Sequence, residues 1–412
     1  MTTKPLLSPA LTRCLLAVLA MMMLVMVAAT AARLGGTHAA GKFPVEFEVF
    51  YLAGQLVWQG QISQAYFVDA FIKLQTAAGH TSYMPWTYPP PFNLICAPLA
   101  LLPLPIAYLV FTATTLAAYL VVLRRLAADS FVVVLAASIP AIAIGIKCGH
   151  NGFLTATLIG WACLWLLRQR PGAGVPLGLM VIKPHLAIPL GLVVLMRSDW
   201  RTIAVAAATT TLAAAISTLA FGPDIWTAFA NGAAEAKVFL LDGQYQHYRM
   251  ISLYAALYTA GVSPPVALVA QAVAALAVLA ALAMAARRGL DKRQLLGWAA
   301  LACPVVGPYA YDYDTCICGI GLALLMPRLA LLMTPPRQLA LVGLVMLGGS
   351  TGLIQNMRFE DLLAADPTAA STLASYGVLA WLGVAALIAH TLWHGRTEAA
   401  PVDLTPAQGV PG

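Results

Sequence analysis

The chain has 412 residues, 61% hydrophobic and only 9% charged, with a mean hydropathy of +0.82 and a formal net charge of +7. A soluble domain carries about 25% charged residues, so this composition excludes one. The apolar runs are also too long for β-barrel strands, which leaves membrane helices that satisfy their own backbone. The excess of positive charge does not point to nucleic acid, because it gathers in short loops on one predicted side of the membrane. Seven scattered cysteines contain no Cys-x-x-Cys pair, so neither a disulfide frame nor a zinc site is expected.

The first apolar run, 12–32, reads as a span. Arg13, the apolar core and the Ala-rich end also fit a secretory signal peptide. The run from Cys14 to Ala32 is long for one, and a retained span is favoured. At Arg33 the chain turns polar, aromatic and acidic, and it stays so to Tyr88-Pro89-Pro90-Pro91. This loop holds Glu46, Glu48, Tyr51, Trp58, Tyr66, Asp69, Tyr83, Trp86 and Tyr88. Ionisable groups at a bilayer are expensive and mark functional candidates, so 33–103 is where chemistry is expected first.

Within that loop, Phe47, Phe50, Tyr51, Gly54, Val57 and Trp58 recur at helical spacing. They predict an amphipathic helix over 46–59, lying in the membrane interface and ended by Gly60. A second is predicted over 64–76. Residues 92–102, closed by Pro103, are too few to cross and are read as a short helix against the outer leaflet. One long kinked helix through 104–123 is the alternative.

Twelve spans are predicted: 12–32, 104–123, 130–146, 152–167, 173–184, 186–196, 202–221, 265–286, 294–309, 315–333, 338–355 and 372–391. The fifth and sixth are short and broken at Lys183-Pro184, as half-inserted helices meeting near the outer surface. With the N-terminus inside, fifteen of the 23 Lys and Arg residues fall in cytoplasmic segments, although those segments are short. That bias sets the orientation. Eleven of the sixteen acidic residues fall outside. Both termini are then cytoplasmic. The domain reading is one polytopic unit over 1–396, followed by a Pro- and Ala-rich tail, 397–412, expected to be disordered.

Several motifs in order resemble a known family. Glu46-Phe47-Glu48-Val49-Phe50-Tyr51-Leu52-Ala53-Gly54, with Gly60 and Tyr66, is similar to the opening of glycosyltransferase family 87. Tyr88-Pro89-Pro90, Pro98-Leu99-Ala100-Leu101-Leu102-Pro103, Gly149-His150-Asn151-Gly152-Phe153-Leu154-Thr155, Ile182-Lys183-Pro184-His185 and Pro308-Tyr309-Ala310-Tyr311-Asp312-Tyr313-Asp314 follow collinearly. The resemblance covers about residues 40–330. Glu46 stands where the family more often has Asp, and His150 and His185 stand where Gln is common.

The resemblance implies an all-α GT-C-like membrane fold and transfer of a sugar, with mannose favoured. The donor would be a polyprenyl-phosphate carrier and the acceptor a lipid or glycan on the outer face of a bacterial inner membrane. An inverting displacement from a phosphate needs a base for the acceptor hydroxyl and cations for the departing phosphate. Glu46 is the expected base, with Glu48 as the lesser candidate and simple complementation of the helix N-terminus as the bland alternative. Lys183, His185 and Arg249 are expected at the donor phosphate; a Lys snorkelling to the surface is the alternative for Lys183.

Glu48, Tyr51, Tyr88, His150, Asn151, Tyr309, Asp312 and Asp314 are expected to bind substrate, the two aspartates alternatively pairing with an outer cation. Metal ligation is not favoured at their i, i+2 spacing, and no cofactor is expected. Membrane lipids are the remaining partners. From another class, a multispan transporter or lipid flippase is the alternative, but the halves show no internal repeat.

Overall fold

The computed structural model describes residues 9–34, 45–79, 83–365 and 373–397. The expected tail beyond 397 and the 35–44 entry to the outer loop lie outside the described residues. In chain order the helices are α1 (Pro9–Leu34), α2 (Val45–Trp58), α3 (Val68–Ala77), α4 (Asn93–Leu99), α5 (Leu104–Ala127), α6 (Phe131–Cys148), α7 (Gly152–Leu167), α8 (Gly174–Leu179) and α9 (Ile188–Met196). They continue with α10 (Trp200–Phe221), α11 (Asp224–Leu241), α12 (Leu253–Thr259), α13 (Pro264–Arg287), α14 (Lys292–Val306), α15 (Cys316–Leu332), α16 (Pro335–Ala365) and α17 (Gly377–Thr397). Short 3₁₀ turns connect several of them. Among the described residues the one β-type contact is an isolated antiparallel bridge between Met250 and Tyr311.

Each expected span finds a helix, but helix length alone does not confirm the count of twelve. Among the described residues six apolar stretches meet the length and hydropathy of a membrane crossing: 104–148, 200–221, 264–287, 312–332, 335–358 and 377–394. The first holds both α5 and α6, broken at Ala128, whose φ of 49° an α-helix does not take. Among the described residues the apolar helical segments 152–167, 171–182 and 184–196 are shorter. A straight crossing needs about 20 residues, so twelve full crossings do not follow from helix length. Several apolar helices make this a multi-pass membrane protein all the same.

The core is built on α5, α6, α7, α14 and α15, which pack on one another. By contrast, α10 and α13 turn most of their apolar surface outward, as helices facing lipid do. The first helix lies against α5 and α6 and buries Leu19, Met23 and Met26.

The segment expected as the first outer loop departs from its expected setting. Its helix α2 matches the predicted bounds, but Phe47, Val49, Phe50, Leu52, Ala53 and Leu56 are all buried. It therefore packs into the protein, against α4 and α5, instead of lying half-submerged at the interface. Trp58, predicted on the apolar face, is exposed, and its indole donates to the Ala97 carbonyl at 2.7 Å. Gly54 permits this packing: a Cβ there would sit 2.3 Å from the Cys96 carbonyl oxygen on α4. The short α4 is a separate helix, so the single kinked helix is not found.

The chain folds so that chemistry gathers at one end. Helix α6 runs from the turn after Arg124 and Arg125 to Cys148, and α7 returns from Gly152 to Arg168. Likewise α14 starts at Lys292, reaches Val306, and α15 returns from Cys316. The basic loops thus lie at the opposite end of these helices from His150 and Asp312. At the basic end Arg293 donates to the carbonyls of Leu126 and Leu324, and Arg197 to that of Leu290 at 2.7 Å.

Candidate active site

The site is assembled by five chain segments with no sequence proximity. The first is the start of α2, which carries Glu46. The second is the α6–α7 turn, Gly149-His150-Asn151-Gly152. Here α6 ends because Gly149 adopts φ +60°, the left-handed conformation that glycine takes without strain. A Cβ at Gly149 would meet Phe47 and Tyr108 at 2.8 Å, and one at Gly152 would meet the Tyr313 carbonyl oxygen at 2.4 Å. Both glycines therefore let α2 and the 311–315 segment approach the turn.

The third segment is the break between α8 and α9. Lys183 takes φ −149°, ψ 66°, and Pro184 begins the next turn, so the ammonium is carried at the break. The fourth and fifth are residues 247–251 and 309–314, each containing a 3₁₀ turn or the start of one. The Met250–Tyr311 bridge and a 2.9 Å bond from the Ile251 amide to the Ala310 carbonyl hold them side by side.

This arrangement brings three carboxylates and two cations together. The Arg249 guanidinium binds Asp312 through Nε and Nη2, each at 3.0 Å, and Glu46 Oε1 through Nη1. Lys183 Nζ lies 2.7 Å from Asp314 Oδ1. Asp312 and Asp314 are fully buried, and Lys183 is 5% exposed. Burying such charges is tolerated only where they are paired, and here they are. The alternative of pairing with a cation is thus the arrangement found for both aspartates.

Both carboxylates also accept backbone amides. Asp312 Oδ1 accepts the Tyr313 amide at 2.9 Å, and Asp314 Oδ2 accepts the Tyr311 amide at 3.2 Å. The two carboxylates face different cations rather than one point. Among the described residues no group of three or more His, Cys, Asp or Glu side chains gathers as a metal-ligand set.

An aromatic stack lines the cluster. Tyr311 and Tyr313 are stacked at 5.5 Å, and Tyr313 and His150 at 3.8 Å. Arg249 sits 5.6 Å over the Tyr311 ring and Lys183 4.9 Å over Tyr313, cation–π contacts that strengthen where water is excluded. Tyr88 hydroxyl and His150 Nε2 are 2.8 Å apart. Burial, then the Lys183 and Arg249 charges, hold the His150 imidazole well below its ordinary pKa, so it is neutral. Burial, then Asp314 and Glu46, raise the Tyr88 phenol well above its usual value. The pair is therefore a neutral hydrogen bond.

Other motif residues of the segment between α1 and α5 hold Tyr88 in place. Tyr66 donates to the Tyr88 carbonyl at 2.9 Å, Asn93 Nδ2 donates to the Tyr66 hydroxyl at 3.1 Å, and Trp86 donates to Asn93 Oδ1 at 3.0 Å. Not every expected residue reaches the cluster. Tyr51 donates to the Leu102 carbonyl at 2.9 Å and so ties α2 to the start of α5. Glu48 is half-buried, two positions along the same helix from Glu46. Tyr309 stands beside the stack, edge-on to Tyr245 at 4.9 Å and to Tyr311 at 5.2 Å. His185 packs its ring against Gly307.

Among the residues expected at the site, Glu46 Oε2, His150 Nδ1, both atoms of the Asn151 amide and His185 Nε2 are buried without a hydrogen bond. Buried polar atoms are ordinarily paired, so these are the atoms with capacity left for a substrate. Tyr311, Tyr313 and Cys148, whose Sγ lies 3.2 Å from Arg249 Nη2, belong to the site although they were not singled out from sequence. The i, i+2 repetition of tyrosines beside the aspartates was the available signal for the first two. Cys148 carried none.

The model of "Glycosyltransferase family 87" matches residues 86–308, just over half the chain. No curated protein and no solved structure matches. The matched span includes Tyr88, His150, Asn151, Lys183, His185 and Arg249. Glu46, Asp312 and Asp314 lie outside it.

Proposed function

The chain belongs to glycosyltransferase family 87, and from that membership we propose the following reaction. The protein moves a sugar, mannose in the first instance, from a polyprenyl-phosphate carrier to a lipid or glycan hydroxyl on the extracytoplasmic face, with inversion. Glu46 takes the proton of the acceptor hydroxyl as its oxygen attacks the anomeric carbon. The bond from that carbon to the phosphate oxygen breaks, and polyprenyl phosphate departs with the electron pair. A phosphate ester needs no acid to leave, but it needs cationic or hydrogen-bonding groups around it.

The observation that carries this reading is the Glu46 carboxylate itself. One oxygen is held by Arg249 while the other is buried without a partner, which leaves one oxygen to accept a proton. Lys183, His185 Nε2 and the Asn151 amide supply a cation and uncommitted polar atoms for the phosphate and the sugar. The apolar helices around them suit a carrier whose tail stays in lipid.

The test is supply of a panel of radiolabelled polyprenyl-phosphate sugars and nucleotide sugars to membranes carrying the wild-type protein or Glu46→Gln. Labelled product is expected from a polyprenyl-phosphate sugar with the wild type, and about a hundredfold or more less with Glu46→Gln. Product from nucleotide sugars alone would discard the donor class. A full rate from Glu46→Gln would discard the base.

A further inference from the structure

We propose that Asp312, acting through Arg249, positions Glu46, so that Arg249 is a positioning residue for the base and not a ligand of the donor phosphate. This rests on the reading of Glu46 as the base. The geometry leaves Arg249 no free edge. Nε and Nη2 form the fork on Asp312, Nη1 takes Glu46 Oε1 with Gln246 Oε1 at 3.4 Å, and Nη2 also meets the Cys148 thiol.

Asp312 is itself immobilised. Its carboxylate accepts the Tyr313 amide, its carbonyl accepts the Thr315 hydroxyl at 2.5 Å, and a Cβ at Gly352 would fall 1.9 Å from Oδ2. Helix α16 therefore closes behind the carboxylate. A planar guanidinium fixed on one side by a bidentate carboxylate presents its outer nitrogen in one direction only. Glu46 Oε1 occupies that direction, and the unpartnered Oε2 is thereby set in one orientation.

A lysine carries the charge but cannot hold two carboxylates in a fixed plane. Misplacement of a reacting group by about 1 Å can lower a rate about a hundredfold. Arg249→Lys is therefore expected to lower kcat by about ten- to a hundredfold while KM for polyprenyl-phosphate mannose stays within about twofold. Asp312→Asn keeps the shape and loosens the fork, and should lower kcat in the same sense by a smaller factor.

The deciding measurement is a double-mutant cycle with Glu46→Gln. If Arg249 acts through Glu46, Arg249→Lys adds no further loss once Glu46 is Gln. If it holds the phosphate, the donor KM rises and the losses multiply in the double variant, which overturns the proposal. Should Arg249→Lys fail to fold by gel filtration, Asp312→Asn in the same cycle decides by the same criterion. A Glu46→Gln variant with the full rate would instead strike the base assignment, a separate result read from the single variant alone.

Discussion

A lysine ammonium buried among apolar helices and 2.7 Å from a buried carboxylate is not snorkelling to a surface. Lys183 is a paired internal charge, and this changes how its function must be tested. Replacing it alone strands Asp314, and breaking one side of a buried pair destabilises by about 3–5 kcal/mol. A folding defect would then hide any effect on the donor. The double variant Lys183→Met with Asp314→Asn removes both charges together and should fold. If Lys183 also steadies the departing phosphate, the donor KM of the double variant rises by about ten- to a hundredfold, the loss of one charge-assisted contact. Saturation of the folded double variant at the wild-type donor concentration would restrict Lys183 to pairing with Asp314. His150 differs, because its imidazole is held neutral by burial and by the two nearby cations. His150→Gln should accordingly leave the shape of the pH–rate profile unchanged between about pH 6 and 8, near and above the ordinary imidazole value.

Among the elements, α2 shows what was and was not legible in sequence. Its bounds, its two acidic residues and the closing Gly60 were readable from spacing, because a helix repeats its face every three to four residues. Its burial was not. The same apolar stripe serves a helix on a membrane surface and a helix packed under a loop, and only tertiary contacts choose between them. The site was readable as a set of motifs, yet the pairing of Arg249 with Asp312, 63 positions apart, depends on one backbone bridge that no local pattern announces. Gly54 gives a test at this scale. Its neighbour across the contact is backbone, the Cys96 carbonyl, so an added methyl cannot be absorbed by a side-chain rotation. Gly54→Ala should destabilise by about 1–3 kcal/mol and lower the rate as well, because α2 carries Glu46. Gly191→Ala, where a Cβ meets nothing within 4 Å, is the matched control and should leave melting in detergent and turnover unchanged. Equal melting temperatures for the two variants would remove the α2–α4 contact from the account of the site.

For the whole molecule, the ionic cluster and the basic loops lie at opposite ends of α6, α7, α14 and α15. One end is rich in buried carboxylates and aromatics, while the other carries Arg124, Arg125, Arg168, Lys292 and Arg293. Lys and Arg near span ends are retained on the cytoplasmic side, and from that bias we propose that the cluster faces outward. The count of crossings does not enter this argument, because the polarity of these few helices is enough. Reporters active only in the periplasm can read it at three fusion points. A fusion after Asp242, at the end of α11 and near Arg249, should be active. Fusions after Arg288, between α13 and α14, and after Gly412 should be silent. Activity after Arg288 together with silence after Asp242 would invert the molecule and put Glu46, Lys183 and Asp312 on the cytoplasmic side. The proposed outer-face acceptor would then have no access to the base. Activity after Gly412 with the other two as expected would leave the site where it is, and would mean that an odd number of crossings follows Arg288.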